Sequence, residues 1–148
     1  MHEIDFRETK DIPLDAILAL YRSNGWSAAN KPEQLRNGLV NSETLITAWA
    51  GETLVGLGNA ISDGHLVGYY PHLLVLPAHH GRGVGREIVS RLRVRYEDFH
   101  QHMLIAEGPA VEFYERVGFA RAGKTVAMWI YAGGDQEPMA DRPARPGR

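Results

Sequence analysis

The sequence of 148 residues contains no cysteine. Disulfide bonds, thiolate metal sites and a cysteine nucleophile are therefore excluded. No apolar run approaches the ~20 residues that a membrane-spanning helix needs. The stretch from Met1 to Lys10 is mixed in charge and lacks the apolar core of a signal peptide. We expect a soluble, cytoplasmic protein that has no membrane partner.

An excess of positive charge is missing as well. Sixteen Lys and Arg residues stand against eighteen Asp and Glu residues, which gives a formal net charge of -2. No overall positive field exists to hold a phosphate backbone, so nucleic acid is not an expected partner. Hydrophobic residues make up 44% of the chain and charged residues 23%, which is typical of a globular domain with one core.

The periodicity of apolar residues predicts an α+β domain with one mixed, mostly antiparallel sheet and helices on its faces. Helices are predicted at 13–22, 32–41, 85–99 and 109–117. Strands are predicted at 44–50, 53–62, 65–76, 102–106 and 126–131. From Gly133 onward Gly, Pro, Asp and Arg dominate, so we expect a domain at 1–132 followed by a disordered tail at 133–148.

A glycine-rich turn joins the strand predicted at 65–76 to the most regular predicted helix. In this turn glycine alternates with other residues, in the order Gly81, Arg82, Gly83, Val84 and Gly85. Glycine lets the backbone turn sharply and point successive N–H groups into one concavity at the positive end of the helix dipole. This pattern is typical of a phosphate or pyrophosphate site, although a plain tight connection also uses glycines. Arg86 stands where a dinucleotide fingerprint needs glycine, and the Gly-Lys-Ser/Thr of a Walker loop is absent.

Two motifs in this order resemble those of the GNAT superfamily of acetyl-CoA-dependent N-acetyltransferases. In that family a strand ending in Val-x-Pro leads into Gln/Arg-x-x-Gly-x-Gly/Ala, and here Val75-Leu76-Pro77 leads into the turn that starts at His80. The stretch from Ala110 to Phe119 is similar to the family's Ala-x-x-Phe-Tyr-x-x-x-Gly-Phe. His80 and Glu107 depart from the pattern, since Gln or Arg and Asn are usual there. A histidine can still donate a hydrogen bond to phosphate.

The resemblance covers about 14–131 and implies a GNAT fold, with a V-shaped splay between the fourth and fifth strands, here 65–76 and 102–106. Acetyl-CoA would lie in the splay, with its pyrophosphate in the glycine turn. Backbone groups left unpaired by the splay would bind the pantetheine. The cofactor-binding residues implied in this way are Leu74, Val75, Leu76, His80, Gly81, Arg82, Gly83, Val84, Gly85 and Arg86.

Acetyl transfer to an amine needs a deprotonated nucleophile, stabilisation of an oxyanion and a proton for the leaving thiolate. The resemblance makes Tyr114 the acid near the coenzyme sulfur; the alternative is a tyrosine that only packs on its helix. His72 is a candidate base because an imidazole titrates near neutral pH, although a lone strand histidine is often structural. Trp26 and Tyr70 are candidate walls of the acceptor pocket, and Trp26 could equally fill the core.

These features predict an N-acetyltransferase that moves an acetyl group from acetyl-CoA directly to a primary amine, since no cysteine can carry it. A small amine is favoured because the chain lacks a polybasic face and a further domain. The alternatives are a non-catalytic acyl-CoA-binding regulatory module and an acetyltransferase of protein N-termini or lysines. The histidine pairs at 79–80 and 100–102 lack supporting ligands, so no metal is expected. A homodimer stays open.

Overall fold

The computed structural model describes residues 3–134, which form one sheet flanked by helices. The strands are β1 (Ile4–Glu8), β2 (Thr44–Ala50), β3 (Thr53–Ser62), β4 (Val67–Tyr69), β5 (Leu73–Val75) and β6 (Gln101–Met103). The helices are α1 (Leu14–Ser23), α2 (Pro32–Val40), α3 (Val84–Val94) and α4 (Ala110–Arg116). Short 3-10 turns lie at Ser27–Asn30 and Pro77–His79.

The sheet is mixed and mostly antiparallel, as the sequence predicts. Its strand order is β1-β2-β3-β4-β6, and β5 pairs with β3 beside this path. Only β4 and β6 run parallel among the pairs of the described residues. Antiparallel neighbours are joined by short turns, whereas a parallel pair needs a long crossover. That crossover contains α3, which places the start of this helix next to the end of β5.

The core lies on both faces of the sheet. All seven residues of β2 are buried. Leu45 and Trp49 pack into a cluster with residues of α1 and α2, whereas Ile46 and Ala48 pack into a second cluster with residues of α3. Alternate side chains of a strand point to opposite faces, so the two clusters show that helices cover both faces. This arrangement confirms the predicted layering.

Close packing between α3 and the sheet depends on a glycine in β3. A Cβ atom added to Gly58 would lie 2.6 Å from Cγ2 of Ile88. We expect Gly58→Ala to lower the free energy of unfolding by about 1–3 kcal/mol, because overpacking displaces neighbouring side chains. Gly38→Ala in α2 is the control, since nothing lies within 4 Å of its added Cβ. Urea unfolding of both variants checks the prediction, which fails if Gly58→Ala is as stable as the control.

The structure differs from the sequence-based prediction at an edge strand and at a central strand. β1 was not predicted; its Ile4 and Phe6 alternate with charged residues, as an edge strand with one solvated face allows. The strand predicted at 65–76 is divided into β4 and β5 by the residues around Pro71. Proline has no N–H group for a ladder hydrogen bond, so a central strand cannot continue through it.

The strand predicted at 126–131 does not form. Val126, Met128 and Ile130 are 78%, 86% and 96% exposed, and no sheet neighbour pairs with them among the described residues. β-Branched and aromatic residues favour a strand, but a strand exists only where a sheet edge accepts its hydrogen bonds. The predicted tail at 133–148 lies outside the described residues apart from Gly133 and Gly134. No helix in the described part of the chain is long and apolar enough to cross a membrane.

Candidate active site

Two parallel strands, β4 and β6, separate at one side of the sheet. β4 and β6 are paired from Val67 opposite Gln101 to Tyr69 opposite Met103. The N–H of Tyr70 still donates to the carbonyl of Met103 at 3.0 Å. Beyond this point the chain continues as β5, whose only strand partner among the described residues is β3. The V-shaped splay is therefore present where the sequence predicts it.

The side of β5 that faces the splay offers backbone groups to a ligand. The N–H of Leu76 donates to the carbonyl oxygen of Val55 at 2.8 Å. In the same antiparallel pairing of β5 with β3, Leu74 lies opposite Leu57. Because hydrogen bonding alternates along an antiparallel strand, Leu74 and Leu76 direct their backbone groups toward β3, and Leu73 and Val75 direct theirs toward the splay. The sequence analysis predicts unpaired backbone groups at Leu74, Val75 and Leu76. In the structure the backbone groups of Leu74 and Leu76 pair with β3, so Leu73 and Val75 are the residues whose backbone groups face the splay.

The carbonyl of Val75 is already occupied by two side chains. Nε2 of His80 donates to it at 2.8 Å, and Nδ2 of Asn24 donates to it at 3.1 Å. Asn24 also donates to the carbonyl of Leu20 at 3.0 Å, so it joins the end of α1 to β5. The N–H of Val75 is left for a ligand. The sequence marks Asn24 only as a turn residue, because a contact across 51 positions has no local signal.

The glycine turn is open to solvent and has room for an anion. Gly81 and Gly83 have φ values of +77° and +82°, and a Cβ added to either would meet nothing within 4 Å. Gly83 is the N-cap of α3, so the first N–H groups of the helix point outward there. Nδ1 of His79 is buried and has no hydrogen-bond partner among the described residues. These features fit a phosphate group.

Gly85 has closer neighbours than the other two glycines of the turn. A Cβ at this position would lie 3.5 Å from the ring of Phe113. An added Cβ would therefore make only an ordinary van der Waals contact where α4 packs against the first turn of α3. This packing places the motif around Phe113 and Tyr114 beside the glycine turn.

A cavity of about 1010 Å³ adjoins the splay. Four residues that the sequence predicts as catalytic or acceptor-binding line it: Trp26, Tyr70, His72 and Tyr114. Leu73 of β5 lines it too, so the cavity opens onto the splay. The sequence analysis missed Asn24, Ile105, Trp129 and Tyr131 in its walls, because none belongs to a motif.

His72 is held inside the cavity wall by aromatic side chains. Its Nδ1 lies 2.7 Å from the hydroxyl of Tyr21. The rings of Tyr21 and Trp26 contact the imidazole edge-on, at centroid distances of 5.5 and 5.2 Å. Burial lowers the pKa of His72 to about 4 and raises the pKa of Tyr21 well above its usual value. Both side chains are therefore neutral at pH 7.

This burial predicts a loss of stability in acid. The folded state holds the pKa of His72 at about 4, below the ordinary 6.5, so the unfolded chain binds more protons between these values. The contribution of neutral His72 to the free energy of unfolding is complete above pH ~6.5. It decreases by about 3 kcal/mol as the pH falls to 4. Urea unfolding at both pH values should show that His72→Gln loses this dependence and that His100→Gln, at an exposed histidine, keeps it. Equal pH dependence in both variants would contradict the assignment.

Tyr114 presents a protonated hydroxyl to the cavity. Its ring packs edge-on against Phe113 and Phe119, with centroid distances of 5.1 and 5.7 Å. Burial raises its pKa to about 12, so the proton stays on at neutral pH. The hydroxyl has no hydrogen-bond partner within the described range 3–134. A group of this kind can donate a hydrogen bond to a leaving atom as negative charge develops on it.

A family model described as an acetyltransferase (GNAT) domain matches residues 18–129. The chain belongs to the GNAT acetyltransferases. A GNAT-family acetyltransferase from Streptococcus pneumoniae TIGR4 has 26% identity and a TM-score of 0.77, over 88% of this chain and 99% of its own. A protein of unknown function from meticillin-resistant Staphylococcus aureus has 25% identity and a TM-score of 0.77, over 87% and 99% of the two chains.

A more distant solved structure shares the fold alone. AAC(6')-Iy, in complex with the bisubstrate analogue CoA-S-monomethyl-acetylneamine, has 14% identity and a TM-score of 0.67, over 87% of this chain and 99% of its own. No curated protein matches the chain. The GNAT fold predicted from the two motifs is thus confirmed by the family match and by the solved structures.

The remaining predicted site residues of this GNAT chain have other surroundings. Trp26 lines the cavity and also packs against the core, and its role in binding the acceptor stays a prediction. The hydroxyl of Tyr70 lies 2.6 Å from Nδ1 of His102, and its ring is buried. Arg82 is exposed in the turn, whereas Arg86 lines an outer groove on α3 and not the cavity.

The histidines of this GNAT chain are dispersed over the fold. His80 contacts β5, and His102 contacts Tyr70. In the part of the chain that the structure describes, no group of three or more His, Asp or Glu side chains could hold a metal ion.

Proposed function

We propose that this chain transfers the acetyl group of acetyl-CoA directly to a small primary amine while both substrates are bound. One observation carries the proposal: the backbone edge of β5, the open glycine turn and the cavity with His72 and Tyr114 adjoin one another. An extended thioester substrate that carries a pyrophosphate matches this order of features. The cavity would receive the amine.

The residues around the splay fit acetyl-CoA. The N–H of Val75 and the backbone groups of Leu73 can bind the amides of pantetheine as a neighbouring strand would. The N–H groups at Gly83 and the start of α3 can bind the pyrophosphate. His80 supports this edge indirectly, since it holds the carbonyl of Val75. AAC(6')-Iy has the same fold and is in complex with a CoA-containing analogue, which supports coenzyme A as a ligand class for this fold.

The transfer requires four changes. The amine nitrogen bonds to the acyl carbon, the carbon–sulfur bond breaks, the amine loses a proton, and the thiolate gains one. Acetyl-CoA supplies the acyl group as a thioester. Tyr114 donates the proton to the thiolate, since its hydroxyl is protonated and faces the cavity. His72 lines the same cavity and is neutral. Which of its two ring nitrogens carries the proton decides whether it can act as a base.

The walls of the cavity favour a small acceptor. Its volume of about 1010 Å³ is at the upper end of small-molecule sites. Aromatic residues from separate parts of the chain wall it, among them Trp26, Tyr70 and Trp129. Such walls fit a compact amine better than an extended peptide.

Incubation with acetyl-CoA and a panel of primary amines tests the proposal. The panel contains amino alcohols, amino sugars, amino acids, polyamines and a lysine peptide. We expect release of free thiol that depends on a small amine, together with an acetylated product of the corresponding mass. Binding of acetyl-CoA without turnover of any amine would favour the regulatory module. Turnover of the peptide alone would favour a protein acetyltransferase.

A further inference from the structure

We infer that Tyr21 fixes the proton of His72 on Nε2, so that His72 donates a hydrogen bond to an oxygen atom of the acceptor amine. The inference rests on the proposed function and names the acceptor class. That class is primary amines with a hydroxyl, ether or carbonyl oxygen near the amino group.

The contact between the two side chains determines the tautomer. Tyr21 has no solvent exposure, and the Nδ1 atom of His72 is the hydrogen-bond partner of its hydroxyl among the described residues. A buried hydroxyl hydrogen needs an acceptor. Tyr21 therefore donates to Nδ1, and the proton of the neutral imidazole lies on Nε2. The opposite tautomer would leave the hydroxyl hydrogen of Tyr21 buried without an acceptor.

The second ring nitrogen of His72 faces the cavity. Nε2 of His72 has no hydrogen-bond partner in the structure. It is not among the fully buried polar atoms that lack a partner, since Nδ1 of His79 is the one such side-chain atom in residues 3–134. Nε2 of His72 is thus accessible to solvent, and His72 lines the cavity. The edge-on contacts with Tyr21 and Trp26 hold the ring plane, so the direction of the N–H group is set before a ligand binds.

Burial keeps the imidazole neutral, and no charged side chain among the described residues contributes to its lowered pKa. A neutral ring that carries its proton on Nε2 has no lone pair there to take a proton from the amine. It can donate to a hydroxyl, ether or carbonyl oxygen. This role replaces the base that the sequence predicts, and the amine enters deprotonated and releases its proton to water.

Nitrogen-15 NMR of the histidine rings tests the tautomer without any substrate. His72 is assigned by the signal that disappears in His72→Gln. We expect Nδ1 to show the shift of an unprotonated nitrogen that accepts a hydrogen bond. In Tyr21→Phe that shift should change and a fraction of the Nδ1–H form should appear. Tyr96→Phe, which removes a buried hydroxyl bonded to Thr44 at 2.6 Å, should leave the signal unchanged. A proton on Nδ1 in the wild type would overturn the inference.

Two isosteric amines test the acceptor class. 2-Methoxyethylamine has an ether oxygen where n-butylamine has a methylene group. The kcat/KM of the ether amine is divided by that of n-butylamine, and this ratio is compared between variants. The difference in basicity between the two amines is the same for each variant and therefore cancels. We expect His72→Leu to lower this ratio about tenfold, the effect of one hydrogen bond. His72→Gln keeps an N–H donor and should hold the ratio within about threefold of the wild type.

The possible failures are distinguishable. If His72 is a base, both variants lower the turnover of both amines by about a hundredfold or more and leave the ratio unchanged, which overturns the inference. If no amine of the panel is acetylated, the proposed function fails together with the acceptor class. The NMR result then decides the tautomer by itself.

Discussion

Replacing Gly83 with glutamate is expected to raise the dissociation constant of acetyl-CoA by at least about a hundredfold, equivalent to about 2.7 kcal/mol. Gly83 is the N-cap of α3 at φ +82°, and an added Cβ meets nothing within 4 Å. The new side chain therefore projects into the open turn. Its carboxylate would take the place of the pyrophosphate at the positive end of the helix and repel a second anion.

Calorimetric titration with acetyl-CoA and with free coenzyme A checks this expectation. The matched control is Gly123→Glu, because Gly123 also has a positive φ, +64°, and no atom within 4 Å of its added Cβ. Both variants carry the same charge change and the same left-handed strain of about 1–2 kcal/mol. The control should bind acetyl-CoA like the wild type. Tight binding by Gly83→Glu would show that the turn is only a connection.

Tyr114→Phe is expected to lower kcat by about a hundredfold or more, since a positioned general acid contributes about 10²–10⁴ to the rate. The ring contacts with Phe113 and Phe119 remain in this variant, so the fold and the affinity for acetyl-CoA should change little. With the pKa of Tyr114 at about 12, the rate should show no decrease from loss of this proton up to pH ~9. Steady-state kinetics with the best amine of the panel provides the measurement.

A second buried tyrosine serves as the control for this variant. Tyr96 is 2% exposed, and its hydroxyl lies 2.6 Å from that of Thr44. Tyr96→Phe should cost about 1 kcal/mol of stability and leave kcat unchanged. If Tyr114→Phe kept the wild-type kcat, Tyr114 would only pack on α4. In a binding module neither variant would have a rate to lose.

The local elements of this protein are encoded in short stretches of sequence. Apolar spacing and a proline in the first turn predict α2 from Pro32, and α3 is predicted by Val84, Ile88 and Leu92, all of which are buried. The glycine turn and the Phe113-Tyr114 motif also stand out, and a positive φ restricts the residue types at Gly81 and Gly83. The family was identified from the resemblance of these patterns to its motifs, and the position of the splay is what that resemblance implies.

Only the tertiary structure decided which groups meet. The pairing of Tyr21 with His72 and the contact of Asn24 with Val75 each join residues 51 positions apart, and no local pattern encodes such a distance. The ladder with β3 determines that Leu73 and Val75 face the splay. The apolar stretch at 126–131 forms no strand, although its composition favours one. Sequence patterns determine local backbone preference, whereas hydrogen-bond partners, and with them the protonation of His72, depend on which distant elements pack together.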